Sequence, residues 1–253
     1  MDTSPLTRRL LCTVLLSCAL LAHAAPASIE TEPAASLDAV EIAGKRSSVM
    51  PYATWASTVR PIHELSHGHI RQGMRLFSRD KSTPLRVSVY DEDKDVAISP
   101  TIGELYVVPH DLPVDVKQAD LTVNRVDGAW GVGNFALVPQ LAGPASDMGW
   151  VRQVLREYQA VYRERFPFKW RLLSRSDASF DVCSTKEDQA IQARAADGTE
   201  LATLRLDNKL KEHSQTTGRI LYCASIKADA AWDDKVRLTL PEHAVALIGF
   251  RLL

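Results

Sequence analysis

The chain is 253 residues long, 45% hydrophobic and 24% charged, the proportions of an ordinary globular protein. Thirty Lys and Arg stand against 31 Asp and Glu, a net charge of -1. This balance excludes a disordered, collagen-like or multi-span membrane chain and provides no global field to recruit nucleic acid or anionic lipid.

The N-terminus reads as an address. Arg8 and Arg9 precede an apolar run from Leu10 to Ala22, and Ala22-His23-Ala24 stands before Ala25. A positive n-region, an h-region of this length and an A-x-A site define a secretory signal peptide over residues 1–24, cleaved after Ala24. The run is too short to cross a bilayer core of about 30 Å as a helix. Thr7-Arg8-Arg9-Leu10-Leu11 also approaches a twin-arginine signal, and Leu15-Leu16-Ser17-Cys18 a lipobox that would lipidate Cys18. The apolar residues after Cys18, with the A-x-A site beyond them, favour Ala24. The expected location is the periplasm or the exterior, with no transmembrane segment once the signal is gone. Loss of residues 1–24 leaves 28 basic and 30 acidic residues, with no basic stripe of the kind a phosphate backbone needs.

Residues 25–49, rich in Ala, Pro, Ser and Glu, read as a flexible leader. Order is expected near Pro51, where Tyr52, Trp55, Val59 and Ile62 make the stripe of a short amphipathic helix. Pro61 should end that helix near Arg60 or kink it. From Met74 the period changes to two. Met74–Phe77, Leu85–Tyr90, Glu104–Val108, Leu121–Val126 and Phe135–Val138 read as short strands, separated by turn-forming stretches such as Asp91–Asp95, Pro109–Pro113 and Asp127-Gly128.

A second helix is expected after Pro144, capped by Ser146 or Asp147. Trp150, Val151, Val154, Leu155, Tyr158, Val161 and Tyr162 form its apolar face, Arg163 and Arg165 suit its C-terminal end, and Pro167 stops it. Strands follow at Trp170–Leu172, Ser179–Cys183, Ala190–Arg194, Glu200–Leu206, Arg219–Ile226, Val236–Leu240 and Val245–Phe250. Asp197-Gly198 signals a hairpin, and Asp207-Asn208-Lys209 and Asp233-Asp234-Lys235 signal turns. The expected fold class is mainly β (α+β): two β-rich halves, antiparallel sandwiches, with a helix between them. The divisions are 50–145 with its short leading helix, the helix 146–167, and 168–253. Leu105–Pro109 and Val236–Pro241 each end a β run in proline, a similarity too faint to establish a repeat.

Cys183 and Cys223 survive signal removal and sit in strand-like contexts 40 positions apart, so a disulfide between two strands of the C-terminal half is expected. Chain entropy assigns a loop of that size roughly 4 kcal/mol. There is no Cys-x-x-Cys spacing for redox chemistry, and two thiolates are half a structural zinc site.

His63-Glu64-Leu65-Ser66-His67 fits H-E-x-x-H, in which two imidazoles on one helical face hold zinc and the glutamate acts as general base. The stretch resembles zincin metalloproteases in those five residues and no further. Pro61 lies just before it, Gly68 and Gly73 follow, Ile70 and Gly73 replace the extended motif's Gly and third His, and no local residue nominates Glu92 or Glu104 as a further ligand. A turn after a short helix is the favoured reading, with no catalytic residue, metal or cofactor assigned. His69 is a further nitrogen nearby. Asp91–Asp95 lacks the spacing of a calcium loop, and Gly128, Gly131 and Gly133 lack that of a phosphate loop. Trp150, Tyr158, Tyr162, Phe166, Phe168 and Trp170 read as core packing on a helical stripe.

With its signal, Pro51-Tyr52-Ala53-Thr54-Trp55 and Gly103–Pro109, the layout is similar to that of uncharacterised bacterial periplasmic proteins. Leu85–Asp91 with Gly103–Pro109 also resembles the hairpin of prealbumin-like modules. The resemblance implies a β-sandwich over about residues 50–140 and carries no functional residues. The expected function is that of a non-enzymatic binding or interaction module of the bacterial envelope, its partner an unidentified protein or envelope component. A zinc hydrolase using His63, Glu64 and His67, and an inhibitor or immunity-type partner of an envelope enzyme, are the alternatives.

Overall fold

The computed structural model describes residues 46–80, 82–143, 145–165, 178–211 and 220–249. The signal peptide, Cys18, most of the leader, the strand expected at Trp170–Leu172, and Phe166, Pro167 and Phe168 lie outside the described residues. The molecule is mainly β and sandwich-like, and all its strand pairings are antiparallel among the described residues.

Elements run in chain order as β1 (Ser47–Pro51), α1 (Tyr52–Leu65), β2 (Ile70–Ser78), β3 (Val87–Tyr90), β4 (Asp95–Ile98), β5 (Pro100–Ile102), β6 (Leu105–Tyr106), β7 (Asp120–Val123) and β8 (Trp130–Pro139). They continue as β9 (Ala145–Asp147), α2 (Met148–Arg165), β10 (Ser179–Ser184), β11 (Ala190–Arg194), β12 (Glu200–Arg205), β13 (Asn208–Lys211), β14 (Ile220–Lys227), β15 (Arg237–Thr239) and β16 (Val245–Gly249). The first series forms two sheets, β1-β7-β3-β4 and β5-β6-β2-β8. The second forms β9-β15-β11-β12 and β13-β14-β10-β16. Shifting every strand of the first pair by eight reproduces the second pair, so the fold is an internal duplication of one β-α-β unit with its following strands.

The helices confirm this at residue level. Each begins directly after the first strand of its repeat. Tyr52, Trp55, Val59 and Ile62 are buried on α1, and Met148, Val151, Leu155 and Tyr158 are buried at the same spacing on α2. Helix α2, expected between the two β-rich halves, is the core helix of the second repeat and also packs against Ile62 and Ile70 of the first. Three expectations change. Strand β1 occupies residues read as leader, because pairing with β7 gives its backbone groups partners. Helix α1 continues through Pro61. Asn208 and Lys209, read as a turn, begin β13 and pair with β14.

Three apolar layers hold the repeats together. Tyr52, Trp55 and Val59 of α1 pack with Met74, Leu76, Val89, Tyr106 and Leu121. Helix α2 packs with Phe180, Val182, Ile191, Leu238 and Ile248, joined by Ile62 and Ile70 from the first repeat. The third layer lies between β5-β6-β2-β8 and β13-β14-β10-β16, where Ile102, Leu105 and Val138 meet Cys183, Leu221, Cys223 and Leu247. The period of two makes this possible: Phe180 and Val182 of β10 face α2, and Cys183 faces the other sheet. Tyr158 belongs to the α2 layer, and burial, with a smaller contribution from Tyr162, pushes its phenol up to about 12. The helical part of the aromatic stretch is thus core, with Trp150 at its edge.

Cys183 and Cys223 are directly opposite on β10 and β14, at disulfide distance, with Cα atoms 4.1 Å apart. Both are buried in the layer between the sheets. Among the described residues no helix is long and apolar enough to cross a membrane. Replacing both cysteines, Cys183→Ala with Cys223→Ala, is expected to lower the unfolding free energy by about 2–4 kcal/mol in a urea titration. A reductant should produce the same loss in the wild type and none in the double variant.

Candidate functional site

The H-E-x-x-H stretch is split by the end of α1. The N–H of Gly68 donates to the carbonyl of His63 at 2.8 Å and the N–H of His67 to that of Glu64 at 3.1 Å, the paired bonds of a Schellman cap. His67 takes the left-handed position with φ 49°, and Gly68 follows at φ 82°. His67 is therefore outside the helix and exposed, His63 is half-buried in its last turn, and Glu64 is exposed. The two imidazoles do not share a helical face, the arrangement that zinc ligation by this motif requires. His63 instead lies against His110, with ring centres 4.8 Å apart. His69 pairs with Glu157 of α2, Nδ1 to Oε2 at 2.9 Å. Glu92 is exposed on the β3–β4 turn, and Glu104 lies just before β6. Among the described residues no group of three or more His, Cys, Asp and Glu side chains is placed to hold a metal.

The duplication points elsewhere, to the β-hairpin at one edge of each repeat's outer sheet, β3-β4 and β11-β12. In the first repeat this hairpin is tied down. Asp91, buried after β3, accepts the N–H groups of Asp93 at 2.9 Å and Lys94 at 2.7 Å on one oxygen. Its other oxygen accepts the N–H of Asp115 at 2.9 Å, in the loop between β6 and β7. The Lys94 ammonium donates to the carbonyl of Pro113 in the same loop. That loop is anchored to α1 in turn. The Tyr52 hydroxyl donates to Pro109 at 2.7 Å and accepts from Leu112 at 3.1 Å, and Trp55 Nε1 donates to Val108 at 3.0 Å. Leu112, Val114 and Val116 pack onto the core there. The acidic cluster at Asp91–Asp95 is thus a structural staple in its first residue. The Asp115 N–H, then those of Asp93 and Lys94, hold the Asp91 carboxyl below its ordinary range against the opposing effect of burial.

The second repeat lacks the tie. Ala195 N–H bonds to Thr199 at 2.8 Å in the place where Asp91 N–H bonds to Lys94 at 2.9 Å, so alanine stands where the stapling aspartate stands in the first repeat. The nearby Asp197 carboxylate accepts the N–H of Thr199 within its own turn at 2.9 Å. The loop between β14 and β15 is fastened to α2 instead. The Arg152 guanidinium donates to the carbonyls of Ala228 at 2.9 Å, Ala230 at 2.9 Å and Trp232 at 2.6 Å, and pairs with Asp234. Among the described residues no hydrogen bond joins this loop to the hairpin.

The hairpin consequently stands between two open spaces. One, about 830 Å³, is lined by Ser146, Asp147, Trp150, Arg194, Lys235 and Arg237. The other, about 450 Å³, is lined by Leu201 and Trp232 and shares Ala195, Ala196 and Lys235 with the first. Trp150 is fixed by an edge-on contact with Phe180, ring centres 5.9 Å apart. Asp147 caps α2 through the N–H of Trp150 at 2.7 Å, as its position before the apolar stripe implies.

Strand register shows how the charge arises. The row Pro51–Asp120–Tyr90–Asp95 of the first repeat corresponds to Asp147–Arg237–Arg194–Glu200 of the second. Tyr90 is covered by the Arg46 guanidinium 4.4 Å from its ring centre, and Arg46 pairs with Asp95 at 2.7 Å. In the second repeat two arginines face each other. The carboxylates at the ends of the row are turned to other donors, Asp147 to the helix and Glu200 to the Thr203 hydroxyl at 2.7 Å. Among the described residues the side chains of Arg194, Lys235 and Arg237 have no hydrogen-bond or ion-pair partner.

Sequence reasoning assigned Trp150 to core packing and missed the three cations, which are separated by up to 43 positions between Arg194 and Arg237; the two arginines meet only through β11·β15 pairing. Comparison with protein-family models, curated proteins and solved structures finds no match.

The staple predicts a pH signature. A carboxyl held below its unfolded value contributes stability that is fully present above about pH 4 and is lost as pH falls through its folded value. Asp91→Ala is expected to lower Tm at pH 7, and the difference from wild type should shrink in thermal melts taken progressively below pH 4.

Proposed function

We propose that the protein is an exported, non-enzymatic binding module that holds an anionic ligand in the open groove of its second repeat. The observation that carries this reading is the facing pair Arg194 and Arg237 with Lys235 beside it, three unpartnered cations on a cavity whose counterpart in the first repeat carries Tyr90 beneath the Arg46 guanidinium. The groove has the volume of a small-ligand site and an aromatic wall in Trp150. An oxyanion bridging two neighbouring guanidiniums receives parallel N–H donors from both, a geometry that a lone surface lysine does not supply. Export is supported by the Leu10–Ala22 run with its A-x-A site and by the Cys183–Cys223 pair, since disulfides persist in oxidising compartments.

Exposed ion pairs contribute about 0.2–1 kcal/mol each and weaken with salt, so the ligand must touch several cations at once. Titration calorimetry of the full chain with poly-glutamate and with inorganic pyrophosphate is the test. Binding to at least one is expected, with affinity falling as sodium chloride is raised. Arg194→Glu with Arg237→Glu should weaken it about tenfold or more, and poly-lysine should not bind. Equal binding by the double variant, or no binding of either anion at low salt, overturns the proposal.

A further inference from the structure

We propose that His63 and His110 form a two-imidazole site for a divalent transition-metal ion of the Zn²⁺ or Cu²⁺ class. The site is separate from the groove and differs from the H-E-x-x-H pair, because its second nitrogen ligand comes from the loop after β6 and not from His67.

His63 Nδ1 is out of contact with solvent and has no hydrogen-bond partner. A buried ring nitrogen of this kind carries a desolvation cost that nothing in the protein offsets, and a bound ion offsets it directly. The ring is held in place by packing: a Cβ on Gly68 would come within 3.2 Å of His63 Cε1, so the Schellman turn that expels His67 also seats His63. His110 is half-buried and fixed from the other side, since Tyr52 bonds both the Pro109 carbonyl and the Leu112 N–H around it.

The two rings approach at 4.8 Å between centres with their planes tilted by 48°. Two imidazoles bound to one ion at about 2.0–2.1 Å per nitrogen, at angles between octahedral and tetrahedral, place their ring centres about 5 Å apart. The observed 4.8 Å between ring centres is within that spacing. Asp111, adjoining His110, brings negative charge that offsets Arg60 and Arg71 nearby. Two side-chain ligands leave the remaining coordination positions to water or to an outside donor, so the ion is held loosely enough to exchange. Imidazole suits Cu²⁺ and Zn²⁺, with Cu²⁺ the tighter of the two.

The test uses the full chain, dialysed against a chelator, with Zn²⁺ titrated by calorimetry and Cu²⁺ followed by electron paramagnetic resonance. One Zn²⁺ per chain is expected, together with nitrogen couplings from two imidazoles in the Cu²⁺ spectrum. His63→Ala and His110→Ala should each weaken Zn²⁺ binding about tenfold or more, and His67→Ala should leave it unchanged. Circular dichroism checks that each variant is folded; His63→Gln and His110→Gln replace any that is not. Loss of binding in His67→Ala with retention in His110→Ala overturns the assignment. So does a wild type that binds Zn²⁺ no better than the His63, His110 double variant, or a Cu²⁺ spectrum without coupling to two nitrogens.

Discussion

Each helix has one apolar stripe, and a β-sheet has two faces; the architecture follows from burying all of them. The stripe of α1, led by the fully buried Tyr52 and Trp55, needs a sheet on either side, and so does that of α2. Truncating a buried aromatic of this size costs about 3–5 kcal/mol, a large share of a domain's net stability. Once the helices are covered, the inner sheets β5-β6-β2-β8 and β13-β14-β10-β16 retain an apolar face each. Ile102, Leu105 and Val138 have to meet Leu221, Leu247 and the cysteine pair. The repeats are joined because each leaves the same surface unburied, and the disulfide lies in the layer where those surfaces meet.

Identical topology does not impose identical loops. In the first repeat the polar demand of one buried carboxylate, Asp91, is met by three backbone N–H groups, one of them from the loop that covers α1. Alanine at the matching place cannot recruit that loop, and Arg152 of α2 collects the second repeat's loop on the helix side through three carbonyls. Asp91, with Lys94, Tyr52 and Trp55, ties the connecting segment of the first repeat to its hairpin and helix, whereas Arg152 holds that of the second repeat on its helix alone.

Much of this was legible in the sequence. The stripe from Trp150 to Tyr162 gave α2, and alternation located β10, β11, β12, β14, β15 and β16 to within a few residues. The short edge strands β1, β4, β5, β9 and β13 were not read as strands, because three to five residues with one or more exposed positions are too short a run for a period of two to stand out. The duplication was hidden for a related reason. Corresponding core positions share burial and not identity, as Tyr52 with Met148 and Trp55 with Val151 show. The one similarity visible by eye, Leu105–Pro109 with Val236–Pro241, pairs β6 with β15, whereas the true counterparts are β6 with β14 and β7 with β15. The turn after α1 is legible from Pro61 and Gly68, and the left-handed His67 followed by Gly68 is the form that the turn takes.

Arginines placed directly opposite on neighbouring strands are a cost to folding. Like charges in that position destabilise a sheet by roughly 0.2–1 kcal/mol, and Arg194 and Arg237 occupy it with no carboxylate turned toward them. The first repeat shows that the fold does not require them, since Tyr90 and Asp120 fill the same places. Shielding by water and salt keeps the cost small while the groove is open. An anion seated between the two guanidiniums turns the repulsion into two attractions and is bound more tightly for that reason. A feature that weakens the free protein and would be relieved by a ligand of one charge is the physical ground for proposing the second repeat, and not the first, as the binding half.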